Sequence, residues 1–353
     1  MSTQSPDISP ALVDDQEPLA EVDRRSFLRM LGASALPLAA QACVSEEEEP
    51  SEDFGGQFRG VNPVLETPCT ILRAKSNQDI VEDDEELSID HAFLDYVNVG
   101  DQCRIIRNDG EYAIFTVAEK RNEKYDDRIR MGMRARTRLG TSRTFSATFS
   151  TCVVTPGLTE QEAKDQSEFT EMLVDDGVST SLVAIAPHGG KIEPYTHEQA
   201  ELLQSLLADK GASSWVTKGY RSGGGAYDRW HITSTAISRN SFPLLDSIAD
   251  RGFAYAVSFH GMSTEMVLIG GAAPEELRVA VRDAIRAVMV NSGIEVDLST
   301  AVDLYTGDSP KNVVNWLTAD GFGGIQIEQS KRAREFWGTQ IVEAIAGVFD
   351  GLI

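Results

Sequence analysis

The stretch Leu182-Val183-Ala184-Ile185-Ala186-Pro187-His188-Gly189-Gly190-Lys191-Ile192-Glu193 passes from an unbroken apolar run to a histidine, two glycines and a carboxylate. A run this short and this apolar suits a strand buried on both faces, as parallel sheets require. The same texture returns at 254–259, which runs into His260-Gly261, at 265–269, and at 324–327, which runs into Glu328. Helical patterns fill the intervals. Thr196-His197-Glu198-Gln199 has capping-box spacing, and the pattern it opens stops at Gly211. Residues 274–291 read as an amphipathic helix starting on Pro274-Glu275-Glu276, and 309–319 and 331–348 as two more. Strand and helix in alternation predict an α/β domain over 155–353, with a mostly parallel, mixed sheet flanked by helices.

Upstream the texture changes. Residues 101–107, 112–119, 129–139 and 144–153 are rich in Val, Ile, Thr, Phe and Arg, and Arg130-Met131-Gly132-Met133-Arg134-Ala135-Arg136 alternates with a period of two. Asn108-Asp109-Gly110 between two of these runs is a hairpin signal. The expectation is a small antiparallel β module over 88–154, partly open or barrel-like, with its arginines on the solvent face or, as the alternative, binding a polyanion. Residues 54–86 read as loop, ending in the acidic cluster 82–86.

The N-terminus reads as an address. Arg24-Arg25-Ser26-Phe27-Leu28-Arg29 looks like a twin-arginine export signal, and the apolar stretch 30–40 behind it is too short to span a bilayer, which takes about 20 residues. Ala40-Gln41-Ala42 is a small-x-small cleavage site, which makes 1–42 a signal peptide and Cys43 the first mature residue. Cys43 is then either a lipid anchor or a plain new terminus, and membrane attachment is by lipid alone. Residues 43–87 follow as an acidic tether and linker. The expected location is a cell-surface lipoprotein or a secreted enzyme. The remaining cysteines, Cys69, Cys103 and Cys152, match no zinc-ribbon or redox spacing.

Composition narrows the classes of function. The 353 residues are 41% hydrophobic, enough for about two globular domains. Acidic residues number 55 against 32 basic, a formal charge of -23. That balance argues against a nucleic-acid partner, which needs a basic face.

Three buried strands thus end in His188, His260 and Glu328, and ligands of parallel α/β sheets bind beyond the carboxyl ends of strands. His188, Glu193 and His260 supply two imidazoles and a carboxylate, a zinc-hydrolase ligand set with room for water. Gly189-Gly190 lets the chain fold so that His188 and Glu193 reach one point. Glu328 is left as a non-ligand carboxylate to serve as catalytic base. The alternative for each histidine alone is an ordinary structural residue. His91 and His197 have no partner motif and read as structural.

The segment 186–193 resembles the metal motif of the poly-γ-glutamate hydrolases of phages and bacteria, relatives of the zinc carboxypeptidases. Trp230-His231-Ile232-Thr233-Ser234, Ser258-Phe259-His260-Gly261, Gly270-Gly271, Lys311-Asn312-Val313-Val314-Asn315 and Gly324-Ile325-Gln326-Ile327-Glu328-Gln329-Ser330 resemble further segments of that family in the same order. Arg334 falls on its closing arginine. Trp230, Gln329 and Ala333 replace usual leucines, and the resemblance covers roughly 182–334.

The resemblance implies one zinc ion, a metal-activated water, and cleavage of γ-glutamyl amide bonds in a polyanionic substrate. Arg334, Arg221 and Lys191 are then candidates for binding substrate carboxylates, each with a surface ion pair as its alternative. His231 is a candidate for touching substrate or oxyanion, or for orienting another group. Competing readings are a zinc carboxypeptidase or amidase on cell-wall or acyl-amino-acid substrates, and a non-catalytic surface-binding lipoprotein.

Overall fold

The computed structural model describes residues 64–121, 127–300 and 305–353. The export signal and Cys43 lie outside these residues. Among them, no helix is long and apolar enough to cross a membrane.

The first half is a closed barrel. Its strands are β1 (Glu66–Arg73), β2 (Glu86–Asp90), β3 (Gln102–Arg107), β4 (Tyr112–Arg121), β5 (Arg128–Met131) and β6 (Phe145–Ser150). They close in the order β1-β5-β2-β4-β3-β6 around a core that includes Ile71, Ile89, Phe115, Met131 and Phe149. The expected hairpin joins β3 to β4, with the Arg107 N–H donating to the Glu111 carbonyl at 2.7 Å.

Three expectations are corrected here. β1 pairs parallel with β5, and β2 parallel with β4, so the module is mixed rather than antiparallel. Its first strand also lies inside the segment read as loop, ahead of residue 88. The predicted strand over 129–139 is likewise two elements, β5 and then helix α1 (Met133–Arg138). Met, Arg and Ala are strong helix formers, and with Gly132 ending the strand their propensity prevails over the alternation. Cys69 and Cys103 are free thiols buried in the barrel, and burial pushes Cys69 up to about 12.

The second half follows the expected plan. After helix α2 (Glu160–Gln166) come β7 (Phe169–Val174), β8 (Leu182–Gly190), α3 (Thr196–Leu206), β9 (Ala212–Gly219), α4 (Ala226–Trp230) and α5 (Pro243–Ala249). Then follow β10 (Tyr255–Met262), β11 (Met266–Gly270), α6 (Glu275–Val288), β12 (Glu295–Leu298), α7 (Val313–Trp316), β13 (Gly324–Ser330) and α8 (Lys331–Asp350). The sheet order is β12-β11-β13-β10-β8-β9-β7, with β13, β10, β8 and β9 mutually parallel. All nine residues of β8 are buried, as its composition requires. The helix expected over 309–319 shrinks to the short α7. The capping box expected at Thr196 does not form: Thr196 Oγ1 donates to the Glu193 carbonyl, and Tyr195 caps α3 at φ +78°.

The sheet places the site. The chain goes from β8 to β9 on one side and later returns through β10 on the other, which makes the β8/β10 boundary a topological switch point. β8 and β10 pair only as far as Ile185 and Ser258, and β8 then follows β9 alone to Gly190. The crevice that opens there receives His188 from one strand and His260 from the other.

The barrel sits directly on this half. Gln102 Nε2 donates to the Ala236 carbonyl at 2.6 Å, Asp101 accepts from Ser238 Oγ at 2.6 Å, and Arg104 pairs with Glu168 at 3.1 Å.

Candidate metal centre

Local sterics bring His188 and Glu193 together. Gly190 has φ +72°, and a Cβ there would fall 2.6 Å from the Gly219 carbonyl oxygen, so only glycine lets the turn lie against β9. The turn closes when the Glu193 N–H donates to the His188 carbonyl at 2.8 Å. His260 arrives from β10, in register with Glu328 on β13.

The three side chains converge through one atom each. His188 Nδ1 lies 3.2 Å from His260 Nδ1 and 3.3 Å from Glu193 Oε2, and His260 Nδ1 lies 3.6 Å from the same oxygen. A tetrahedral zinc with bonds of about 2.0–2.1 Å spaces its ligand atoms about 3.3–3.4 Å apart, which these sides bracket. The outer nitrogens are already engaged. His188 Nε2 donates to the Ile232 carbonyl at 2.8 Å, which leaves a lone pair on Nδ1. His260 Nε2 meets Ser258 Oγ at 2.6 Å, and the Gly261 N–H donates to Glu193 Oε2 at 2.9 Å. With the ring proton on the outer nitrogen of each histidine, two imidazole lone pairs and a carboxylate face one point, a donor set that fits a divalent cation. All three residues are buried.

His231 also offers a ring nitrogen within 4.8 Å of the donor atoms of His188 and Glu193. His260 Nδ1, at 3.2 Å from His188 Nδ1 and 3.6 Å from Glu193 Oε2, completes a triangle of zinc-ligand size, so His260 is the third ligand of the candidate set, while Nδ1 of His231 is bonded to Glu85. The His231 ring packs on His188 at 4.3 Å between centroids and stacks on Tyr227 at 4.2 Å.

Charge at the centre follows from burial. Desolvation opposes ionisation of Glu193, but His188 and His260 hold its carboxyl well below the usual range. Glu328 has a different environment. Burial first, and the Glu193 charge second, push its carboxyl up to about 8. A cation on Glu193 offsets the second influence. Gln326 Nε2 donates to Glu328 Oε1 at 2.9 Å, which fixes the carboxyl on the strand.

Arg334, in the first turn of α8, lies against Gly261: a Cβ there would meet its Nη1 at 2.0 Å. Its guanidinium is buried, with Nε and Nη1 lacking a hydrogen-bond partner among the described residues. The structure therefore brings His188, Glu193, His260, His231, Glu328 and Arg334 into one neighbourhood. Arg221 is engaged elsewhere, paired with Glu111 of the barrel at 3.0 Å. Lys191 is exposed, its backbone N–H on the Gly219 carbonyl.

The sequence reading missed Ser258, Gln326 and Glu85. The first two were within reach, because residues two apart on a strand share a face: Ser258 with His260, Gln326 with Glu328. Glu85 carried no such signal within its acidic cluster.

A mixed sheet that brings a His–Glu–His cluster and a further buried carboxylate, Glu328, to its strand ends has the donor set and proton acceptor that metal-dependent hydrolysis requires. Residues 158–344, just over half of the chain, match the family described as poly-gamma-glutamate hydrolase, and the chain belongs to that family. It is similar to the SPbeta prophage-derived UPF0714 protein YoqZ of Bacillus subtilis (strain 168), at 25% identity over 181 residues. That match takes in 51% of this chain and 60% of the relative, so the chain spans less than two thirds of that protein's length.

Among solved structures, a bacteriophage poly-gamma-glutamate hydrolase matches at 24% identity and TM-score 0.39, over 52% of this chain and 91% of that one. A zinc-free form of YNDL matches at 21% identity and TM-score 0.42, over 54% and 96% of the two chains. The barrel lies outside the family match.

Proposed function

We propose that this protein is an exported zinc hydrolase that cleaves γ-glutamyl amide bonds of poly-γ-glutamate. The observation that carries the reading is the triangle of His188 Nδ1, His260 Nδ1 and Glu193 Oε2, with sides of 3.2, 3.3 and 3.6 Å. One zinc ion held there supplies a Lewis acid for the carbonyl and makes water acidic near neutral pH.

The chain's own residues do the rest. Glu328 accepts a proton from the attacking water and delivers it to the nitrogen as the C–N bond breaks, leaving a carboxylic acid and an amine. Arg334 supplies a buried guanidinium whose Nε and Nη1 have no hydrogen-bond partner among the described residues, suited to a substrate carboxylate by charge and by its planar donor fork. His231 supplies a polar ring beside the reacting bond. Arg221 and Lys191 are left for outlying carboxylates of a polyanion, with Arg221 first having to part from Glu111.

Export by the twin-arginine route rests on residues 24–42, and surface attachment rests on Cys43. The chain then divides into a signal peptide (1–42), a tether, the barrel and the hydrolase domain.

The test is to incubate the zinc-loaded protein with γ-linked and with α-linked polyglutamate and to size the products. The γ-polymer is expected to shorten, the α-polymer to persist, and chelation to stop the reaction. Cleavage of the α-polymer alone would move the reading to a carboxypeptidase or amidase. No cleavage of either, with zinc bound, would support a binding protein instead.

A further inference from the structure

The barrel lies outside the family match, yet it reaches the metal centre. Glu85, immediately before β2, spends its whole carboxylate on one segment of the hydrolase half. One oxygen is bonded to His231 Nδ1, and the other accepts from the Thr233 N–H and the Thr233 hydroxyl, each at 2.8 Å. Arg138 of α1 fastens the same segment. Its guanidinium donates to the carbonyls of His231 at 3.1 Å, Asp228 at 2.7 Å and Asp84 at 2.8 Å. Between His231 and Thr233 lies Ile232, whose carbonyl accepts from the proposed ligand His188. The segment that orients a metal ligand is thus clamped from the barrel.

We propose that Glu85 is a positioning residue for the active site, and that the barrel is part of the catalytic machinery because it delivers Glu85 to His231. The inference rests on the zinc-hydrolase reading above. A carboxylate on Nδ1 sets the proton of the neutral ring on that atom and fixes the ring plane. Nε2, without a hydrogen-bond partner among the described residues, is the atom left to meet the substrate amide. Glu85 touches neither the proposed ligands nor Glu328 by any described hydrogen bond, so its effect on the reaction runs through the segment 231–233, and chiefly through His231.

Two measurements on the full chain test this. Glu85→Ala is expected to lower kcat on γ-polyglutamate about 10–100-fold, with zinc stoichiometry unchanged, as loss of an orienting carboxylate does elsewhere. In a His231→Ala background the same substitution should cost far less. Gln102→Ala, which weakens barrel docking away from His231, should keep the wild-type kcat. A loss of equal size in Gln102→Ala, or an undiminished loss on top of His231→Ala, would reduce Glu85 to a docking residue and overturn the proposal.

The second measurement is independent of turnover. The chain has five histidines, few enough to assign by substitution in nitrogen-15 spectra. In zinc-free and zinc-loaded protein alike, His231 should show a strongly hydrogen-bonded Nδ1 proton that Glu85→Ala removes. An unchanged His231 signal would overturn the proposal. Should the wild-type protein leave γ-polyglutamate intact, the poly-γ-glutamate reading fails, and this spectrum still decides the Glu85 contact.

Discussion

Glu328 stands opposite His260 in the β10–β13 ladder, and its own described hydrogen bond is to Gln326, not to a proposed metal ligand. Binding metal and moving protons are therefore separable in this site. Glu328→Gln keeps the side chain's shape and removes its basicity, so the zinc content should stay at the wild-type value. Turnover should fall about 10²–10⁴-fold, the usual contribution of a positioned base. Zinc analysis and kcat on the same preparation check this, and a wild-type rate would strip Glu328 of the role. The site's residues were legible for a plain reason. A polar side chain at the end of a buried apolar strand has no packing role, so His188, His260 and Glu328 declare themselves. Glu85 does not, because an acidic residue among acidic residues before a strand resembles any solvated loop.

At the scale of elements, the close packing of β10 against α8 gives a sharper test of Arg334 than replacing it would. A Cβ at Gly261 meets Nη1, Cζ and Nη2 of Arg334 at 2.0–2.6 Å. These are the far atoms of a flexible side chain, so Gly261→Ala should shift the guanidinium at little cost in stability. The Gly261 N–H to Glu193 survives the substitution, and zinc affinity should survive with it. The expected outcome is a raised KM with Tm and zinc content close to wild type. An unchanged KM would mean that Arg334 does not hold substrate.

Elements differed in how well the sequence announced them. β8, β10, β11 and β13 were legible because burial on both faces leaves an unbroken apolar run. Helix α1 was not, since one glycine between strand and helix turns a period-two pattern into two unlike elements. The capping box was sought at Thr196 but stands at Thr159, where Glu162 and Thr159 bond reciprocally at the start of α2. At Thr196 the preceding turn, held by the Glu193 N–H on His188, places Tyr195 in left-handed backbone and takes the hydroxyl for Glu193.

Over the whole molecule, the α/β half could be anticipated because each βα unit is local and its crossovers are right-handed by rule. The barrel could not, because it closes through parallel pairs of strands distant in sequence, β1 with β5 and β2 with β4. No periodicity within a strand records its partner. The same non-local closure delivers Glu85 and Arg138 to the segment at His231, so the least legible part of the fold carries the least expected part of the site.

The account as a whole depends on one metal at the convergence of His188, Glu193 and His260, and X-ray absorption at the zinc edge of the purified, zinc-supplemented chain reads this directly. The expected spectrum has one zinc per chain in a nitrogen and oxygen shell at about 2.0–2.1 Å, with the outer scattering of two imidazoles, lost in His188→Ala. A protein that takes up no zinc, a sulfur shell, or full zinc retention by His188→Ala would contradict it.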